Sequence, residues 1–216
     1  MCYAAYVAAT TQQGQFIDLT ASAPLDTSAL SPALYAGDNT ALFSNAATFL
    51  DSITMGLFNL SNMKLAKPEM LAIPNVRAML AVIRKGEGTS DSAGYGRIFG
   101  GRMFTDFSKH PNILVKGNGL SSTAAGAYQF LYSTWKETAA AMGLKDFSPA
   151  SQDLGALGRI AARGALNDVI AGRFYLAIQK MGKEWASLPG SPYGQPVQTI
   201  AGAQQVYIAN NGTITA

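Results

Sequence analysis

Apolar residues recur along this chain with changing periods. Over residues 40 to about 64, Phe43, Ala46, Leu50, Ile53, Leu57 and Leu60 alternate at spacings of three and four. That spacing stacks side chains on one helix face, and Asp38 or Asn39 is placed to cap its start. From Asn75 onward, Val76, Met79, Leu80 and Ile83 form a second helical face, which stops at Gly86-Glu87-Gly88. Over 94–107 the helical period is lost. Glycines and aromatics there flank Gly100-Gly101, a pattern that predicts strand, turn, strand.

Helical patterning resumes over 126–142, with Gly143 as the stop. It returns after Ser148, a capping residue followed by Pro149 at the first helical position, and ends near Arg163-Gly164. Shorter helices are predicted at about 165–171 and 174–186, and a last one at about 198–209 beyond the loop 188–196. Residues 1 to about 37 carry no period and are punctuated by Gly14, Pro24, Pro32 and Gly37. Helices, a small hairpin, then helices predict an α+β class: a mainly helical domain with a small β-hairpin lobe over 75–216. A helical N-terminal arm over 1–74 precedes it. The arm's apolar stripe has two readings, packing on the following domain or docking into another protein.

Composition narrows the chemistry. The 216 residues allow one ordinary domain plus an appendage, and 48% hydrophobic content supports a packed core. Charged residues make up only 13%, about half the usual share. They are unevenly divided: residues 1–74 net −3, and the remainder nets +6. A basic second half suits a polyanionic partner, whether nucleic acid, anionic lipid or a bacterial wall, or is simply an ordinary basic surface.

The single cysteine, Cys2, and single histidine, His110, exclude more than they suggest. No internal disulfide is possible, and no Cys or His spacing suits a zinc site, so no metal or other cofactor is expected. A thiol peptidase built on Cys2 and His110 would place its nucleophile in the least anchored part of the chain. The N-terminus lacks a basic region and an apolar core of the signal-peptide kind. The most apolar stretch, 41–60, is interrupted by Asn45, Asp51 and Asn59, which argues against a membrane span. Synthesis in the cytoplasm is expected, with any wall reached by another route.

Glu87 is the carboxylate best placed for chemistry. It ends a helix between two glycines, which leave its side chain unobstructed and let a bulky ligand approach. The partial negative charge of a helix C-terminus disfavours its ionisation, and a dry site would do the same. Arg84 and Lys85 would oppose both effects if they pointed towards it. On spacing alone, an exposed glutamate beside a helix cap is the commoner reading.

Ordered words elsewhere in the chain change that balance. Gly86-Glu87-Gly88-Thr89 is followed by Phe104-Thr105-Asp106-Phe107-Ser108-Lys109-His110-Pro111 and by Ser122-Thr123-Ala124-Ala125-Gly126-Ala127-Tyr128-Gln129-Phe130. Then come Gly143-Leu144-Lys145-Asp146-Phe147-Ser148-Pro149-Ala150-Ser151-Gln152-Asp153 and Glu184-Trp185-Ala186-Ser187-Leu188-Pro189-Gly190-Ser191-Pro192-Tyr193-Gly194-Gln195. In this order, over about residues 75–200, the chain resembles the lambda-type phage lysozymes (endolysins).

The resemblance implies a lysozyme-like fold with a cleft between two lobes. It also implies lytic transglycosylase activity on the β-1,4 bond between N-acetylmuramic acid and N-acetylglucosamine of peptidoglycan. The family's single essential glutamate falls on Glu87. The muramic C6 hydroxyl, rather than water, closes on C1 and leaves a 1,6-anhydro end. A tethered nucleophile needs no second carboxylate, whereas ordinary glycosidases use two at a set separation. Asp91 and Asp106 remain possible helpers, Asp91 better read as solvent-facing and Asp106 as holding its loop.

By the same resemblance, Tyr128, Gln129, Gln152, Tyr193 and Gln195 are the candidate substrate-binding residues that line or support the cleft. Tyr128 and Gln129 are placed at the start of a helix. For Tyr128, core packing is an equal alternative; for Trp135 it is the better one, and His110 before Pro111 reads as a structural loop residue. Segments 116–126 and 189–199 match the two lips of the cleft, with Gly117, Gly119 and Gly190 to let them move. Two departures stand out: Gly86 replaces a small polar residue, and Ala127 a commonly basic one.

Free enzymes of this family are nearly bare catalytic domains. The acidic 74-residue arm here is therefore read as an anchor to phage structural proteins, placing the enzyme in the virion for local wall opening during DNA entry. The alternatives are a free cytoplasmic endolysin for host lysis, or a non-catalytic structural module on the same scaffold. Nucleic acid is not expected as a partner.

Overall fold

The computed structural model describes residues 59–117, 120–194 and 196–215. Most of the helix expected over 40–64 lies outside the described residues; its last turn, 59–63, is helical. Met63 and Ala66 beyond it are buried, and Met70, Leu71 and Ile73 pack on the core of the following helices.

Six helices follow: α1 (Pro74–Gly86), α2 (Tyr132–Met142), α3 (Pro149–Ala162), α4 (Leu166–Ala171), α5 (Phe174–Met181) and α6 (Ile200–Ala209). A two-stranded antiparallel sheet, β1 (Val115–Gly117) and β2 (Leu120–Ser122), lies between α1 and α2 in sequence, with Lys116 opposite Ser121. The architecture is α+β, mostly helical with a small sheet, as the sequence pattern implied.

α1 is the axis of the packing. Pro74 at its first position supplies a helical φ at no cost in hydrogen bonds. Val76, Ala78, Met79, Val82 and Ile83 are fully buried, so the stripe read in the sequence is its core face. Each large apolar side chain so buried contributes about 1.5–3 kcal/mol. α1 packs against α6, α4 and α3, and α2 packs against α3.

Local chemistry sets the helix ends. Gly143 adopts a left-handed φ of 72° after α2 and donates its N–H back to Ala139. Ser148 Oγ accepts the Ser151 N–H at 3.3 Å to start α3, and Thr199 Oγ1 accepts the Gly202 N–H at 3.0 Å to start α6. The last two helices are shorter than the pattern implied, α5 ending at Met181 and α6 beginning at Ile200.

Two expectations are corrected. The hairpin expected over 94–107 is only a tight reversal: Gly100 and Gly101 take φ of 80° and 87°, and a single bridge pairs Arg97 with Met103. Short 3-10 turns, Ser92–Gly96 and Phe99–Gly101, replace its strands. The flanks bond across the reversal, Ile98 N–H to Arg102 O and Phe104 N–H to Gly96 O at 2.8 Å each. The ladder stops there because the turn Ser92–Gly96 takes up the preceding residues, and the opposite edge pairs with Ala124 and Ala125. The true two-stranded sheet is β1–β2, within the segment matched to one lip.

The second correction is at α2, which starts at Tyr132 and not at 126. Gly126 (φ 80°) and Gln129 (φ 47°) fold 126–129 into a turn closed by pairing of Ala125 with Phe130. Tyr128 and Gln129 are therefore turn residues. Buried rings pin this region to the helices: Phe147 lies 4.6 Å from Trp135 and 4.7 Å from His110 between ring centroids. The Asn112 N–H donates to His110 Nδ1, so Nε2 carries the proton and donates to Phe130 O at 2.8 Å. Burial pushes the His110 pKa down, and the ring is a neutral structural strut.

Candidate active site

α1 delivers Glu87 to the point where its own backbone hydrogen bonds run out. Glu87 is the C-cap residue, with helical φ and ψ of −78° and −4°, and its N–H still reaches Ile83 O at 2.9 Å. Gly88 then takes a left-handed φ of 70°, and the Thr89 N–H closes back on Arg84 O at 2.9 Å. The buried Thr89 hydroxyl donates to Ala127 O at 2.5 Å, tying this corner to the turn that holds Tyr128 and Gln129.

Among the described residues the carboxyl of Glu87 has one side-chain hydrogen-bond partner. Ser187 Oγ, buried in the loop after α5, donates to Glu87 Oε1 at 2.7 Å. Gln198 holds that loop in place: its N–H donates to Ser187 O at 2.9 Å and its Nε2 to Val82 O at 3.1 Å. Gly86 makes this close approach possible. A Cβ there would stand 2.4 Å from both Ser187 Oγ and Gln198 Nε2, so the departure to glycine before Glu87 has a steric reason.

Part of the Glu87 residue remains accessible, while its carboxyl is surrounded by protein groups. Burial pushes its pKa from 4.5 up to about 7, and the Ser187 hydrogen bond opposes that rise. The nearby cations are committed elsewhere. Arg84 donates to the Thr89 and Asp91 carbonyls and stacks 4.6 Å from the centre of the Tyr95 ring. Arg97 donates to Gly88 O at 2.6 Å and pairs with Asp91 at 2.8 Å, and Lys85 is exposed. Glu87 is thus a carboxylic acid that keeps its proton near neutrality beside open solvent, the state a general acid needs.

Among the other candidates, three support the site from within. Tyr128 is 2% exposed, and its hydroxyl donates to Asp153 Oδ1 at 2.6 Å, beside Tyr95, which donates to the same oxygen at 2.9 Å. Burial holds the Asp153 pKa up, against the pull of these two hydroxyls. Gln152 is 0% exposed: its Oε1 accepts the Ala127 N–H, and its Nε2 donates to Tyr95 O and Phe147 O. It braces three backbone segments and presents no atom to a ligand, which corrects its placement among the substrate-binding residues. Gln129 is 7% exposed, with Nε2 spent on Gly126 O and Arg97 O.

Tyr193 stands in the late loop, half-buried, its hydroxyl donating to Lys183 O at 3.0 Å. Gln195 lies outside the described residues. Asp91 is paired with Arg97, and Asp106 accepts the Ser108 N–H at 2.8 Å, so each serves its own loop. Among the described residues no group of His, Cys, Asp and Glu is arranged to hold a metal ion, and no helix is long and apolar enough to cross a membrane.

Sequence reasoning missed Ser187 and Gln198. Ser187 stands inside one of the ordered words, but nothing in its spacing points to a residue 100 positions earlier.

The chain is similar to known proteins over this whole described domain. A family model described as Endolysin matches residues 77–214. The chain is 46% identical over 134 residues to the endolysin of Escherichia phage lambda, covering 58% of this chain and 85% of that protein. It is 40% identical over 137 residues to the endolysin of Escherichia phage P2, covering 56% and 83%. A structure of bacteriophage lambda lysozyme complexed with a chitohexasaccharide superposes with a TM-score of 0.63 at 38% identity, covering 66% of this chain and 97% of that one. A second lambda lysozyme structure gives 0.59 over the same shares.

Proposed function

Because the chain belongs to the Endolysin family of phage lysozyme-like, wall-degrading enzymes, we propose that it cuts glycan strands as a lytic transglycosylase with Glu87 as the acid. Its bond is the β-1,4 linkage between N-acetylmuramic acid and N-acetylglucosamine. The lambda lysozyme complexed with a chitohexasaccharide supports a glycan as the ligand. The observation that carries the reading is the Glu87 carboxyl itself, held protonated to about pH 7 with a serine, and no second carboxylate, as its side-chain partner.

Glu87 gives its proton to the leaving glycosidic oxygen as the C1–O bond breaks. The C6 hydroxyl of the same muramic ring forms a bond to C1, and its proton passes to the Glu87 carboxylate, restoring the acid. One group serves as acid and then base, and the 1,6-anhydro end requires no water. Thr89, Gln129, Gln152 and the Tyr95–Tyr128–Asp153 cluster hold the floor of the site, while Tyr193 and Gln195 are assigned to its rim. Digestion of purified peptidoglycan tests this: anhydro ends by mass spectrometry are expected, and reducing muramic ends would mean hydrolysis instead. No cleavage by the native protein would leave only a structural role.

We further assign residues 1–74 as an anchor to phage structural proteins and residues 75–216 as the catalytic domain. The arm's net charge of −3 against +6 for the rest, and its amphipathic stripe, support a docking role. The enzyme would then act from the virion on the host wall during DNA entry. Deleting residues 1–58, which leaves the buried Met63 and Ala66 in place, is expected to leave cleavage intact and to abolish incorporation into particles. Normal incorporation would favour a free endolysin released for lysis.

A further inference from the structure

The two residues ahead of Glu87 also belong to a second space. Lys85 and Gly86 form one wall of a cavity of ≈ 420 Å³, whose remaining walls come from the late loop and from α6. Val197 and Val206 make its apolar side, and Gln198, Thr199 and Gln205 its polar side. Among the described residues Lys85 is the only charged one lining it, and its ammonium makes no ion pair with any of them. Among the described residues no aromatic side chain lines this cavity, and they offer no flat face on which a sugar ring rests.

Its chemistry is that of a site for a short acidic peptide. A single cation takes a carboxylate, amide groups take backbone polar atoms, and valines take small apolar side chains. Gln198 Nε2 is already spent on Val82 O and Thr199 Oγ1 on the Gly202 N–H. The Gln205 amide is exposed. An isolated lysine beside amides and valines suits one carboxylate better than a run of phosphates, which is met by several cations.

We propose that this cavity is the subsite for the stem peptide of the muramyl residue, with Lys85 pairing a peptide carboxylate. The inference rests on the transglycosylase reading, because the sugar ring whose C1 meets Glu87 carries its lactyl peptide on the same ring. The branch therefore leaves the glycan strand beside the acid, and Gln198 in the cavity wall donates its N–H to Ser187, whose hydroxyl bonds Glu87. Three extended residues span about 10 Å, enough to enter a neighbouring cavity. The peptide branch would then help set which muramyl residue is cut, a selectivity that bare chitin-type strands do not receive.

The test has a binding arm and a cleavage arm. In the binding arm, 15N-labelled full-length E87Q is titrated with soluble muramyl tripeptide. Amide shifts are expected at Val197, Gln198 and Gln205, and they should be absent with N-acetylmuramic acid alone. Lys85→Gln, and separately Gln205→Glu, which sets a like charge against the carboxylate, should each weaken binding about fivefold or more. In the cleavage arm, otherwise native protein is given glycan strands with stem peptides and strands stripped of them. Lys85→Gln should lower the ratio of kcat/KM on the two strands about fivefold. No shift in the cavity, or a ratio indifferent to Lys85, overturns the subsite while leaving transglycosylation standing. Failure to cut either strand sinks the enzymatic reading, and the binding arm still decides the cavity.

Discussion

Ser187 Oγ donates to Glu87 Oε1 at 2.7 Å across 100 residues of chain. The bond occupies one carboxyl oxygen and leaves the other to carry the proton, so it orients the acid while slightly favouring its ionised form. Ser187→Ala is expected to lower kcat about tenfold with a smaller effect on KM. The hydrogen bond lowers the Glu87 pKa, so its loss moves the alkaline limb of the pH–rate profile above pH 7. A limb that moved down instead would mean that the mutation had let water in, and that Ser187 does not orient the acid.

Glu87→Gln is expected to abolish cleavage and to stabilise the fold at neutral pH. The folded pKa of Glu87 is raised from 4.5 to about 7, so the folded state binds more protons than the unfolded state between these values. Its contribution is fully present below pH 4.5 and is lost as pH rises through about 7. With the acid replaced by a neutral amide, unfolding free energy above pH 7 should rise by about 3 kcal/mol. Thermal melts of both proteins across pH 4–8 check this, and a gap that does not widen with pH would refute the buried-acid assignment.

Gly86→Ala places a methyl carbon against Ser187 Oγ and Gln198 Nε2, both 2.4 Å from its ideal position. The helix would favour alanine intrinsically, so a loss of stability isolates the steric clash. Destabilisation of about 1–3 kcal/mol is expected in denaturant unfolding, with activity falling as in Ser187→Ala. A more stable, fully active variant would show that the late loop tolerates displacement.

Gln152→Ala would leave the Ala127 N–H, Tyr95 O and Phe147 O without this partner inside the protein. Each such loss costs about 1–3 kcal/mol, and a net penalty of about 3 kcal/mol is expected in urea titration. Where the variant remains folded, its KM should change little. A large rise in KM at intact stability would return Gln152 to direct contact with substrate.

Much of this architecture was legible because it is written locally. Val76, Met79, Leu80 and Ile83 announce the buried face of α1, and Ser148-Pro149 and Gly143 carry helix ends in their own side chains or dihedrals. The 94–107 hairpin misled for a physical reason. Gly100-Gly101 do reverse the chain, and Ile98 and Phe104 bond across it. The residues before them, however, curl into a 3-10 turn whose Gly94 lies close against Thr89, which no local pattern announces. Gln152 misled in a similar way, and Tyr128 fell on the core-packing side of its two readings. Amide and phenol suit a sugar cleft as well as they suit a buried brace, and only burial separates the two.

By itself, then, the sequence determined most of the helices, the family and the choice of Glu87 as the candidate acid, because caps, periodicity and ordered words act over a few residues at a time. Only the tertiary structure decided how acidic Glu87 is. Its pKa follows from the burial of its carboxyl, from a serine brought in by the late loop, and from a glycine that makes room for that serine. Dielectric surroundings and long-range hydrogen bonds are properties of packing, and no spacing along the chain encodes them.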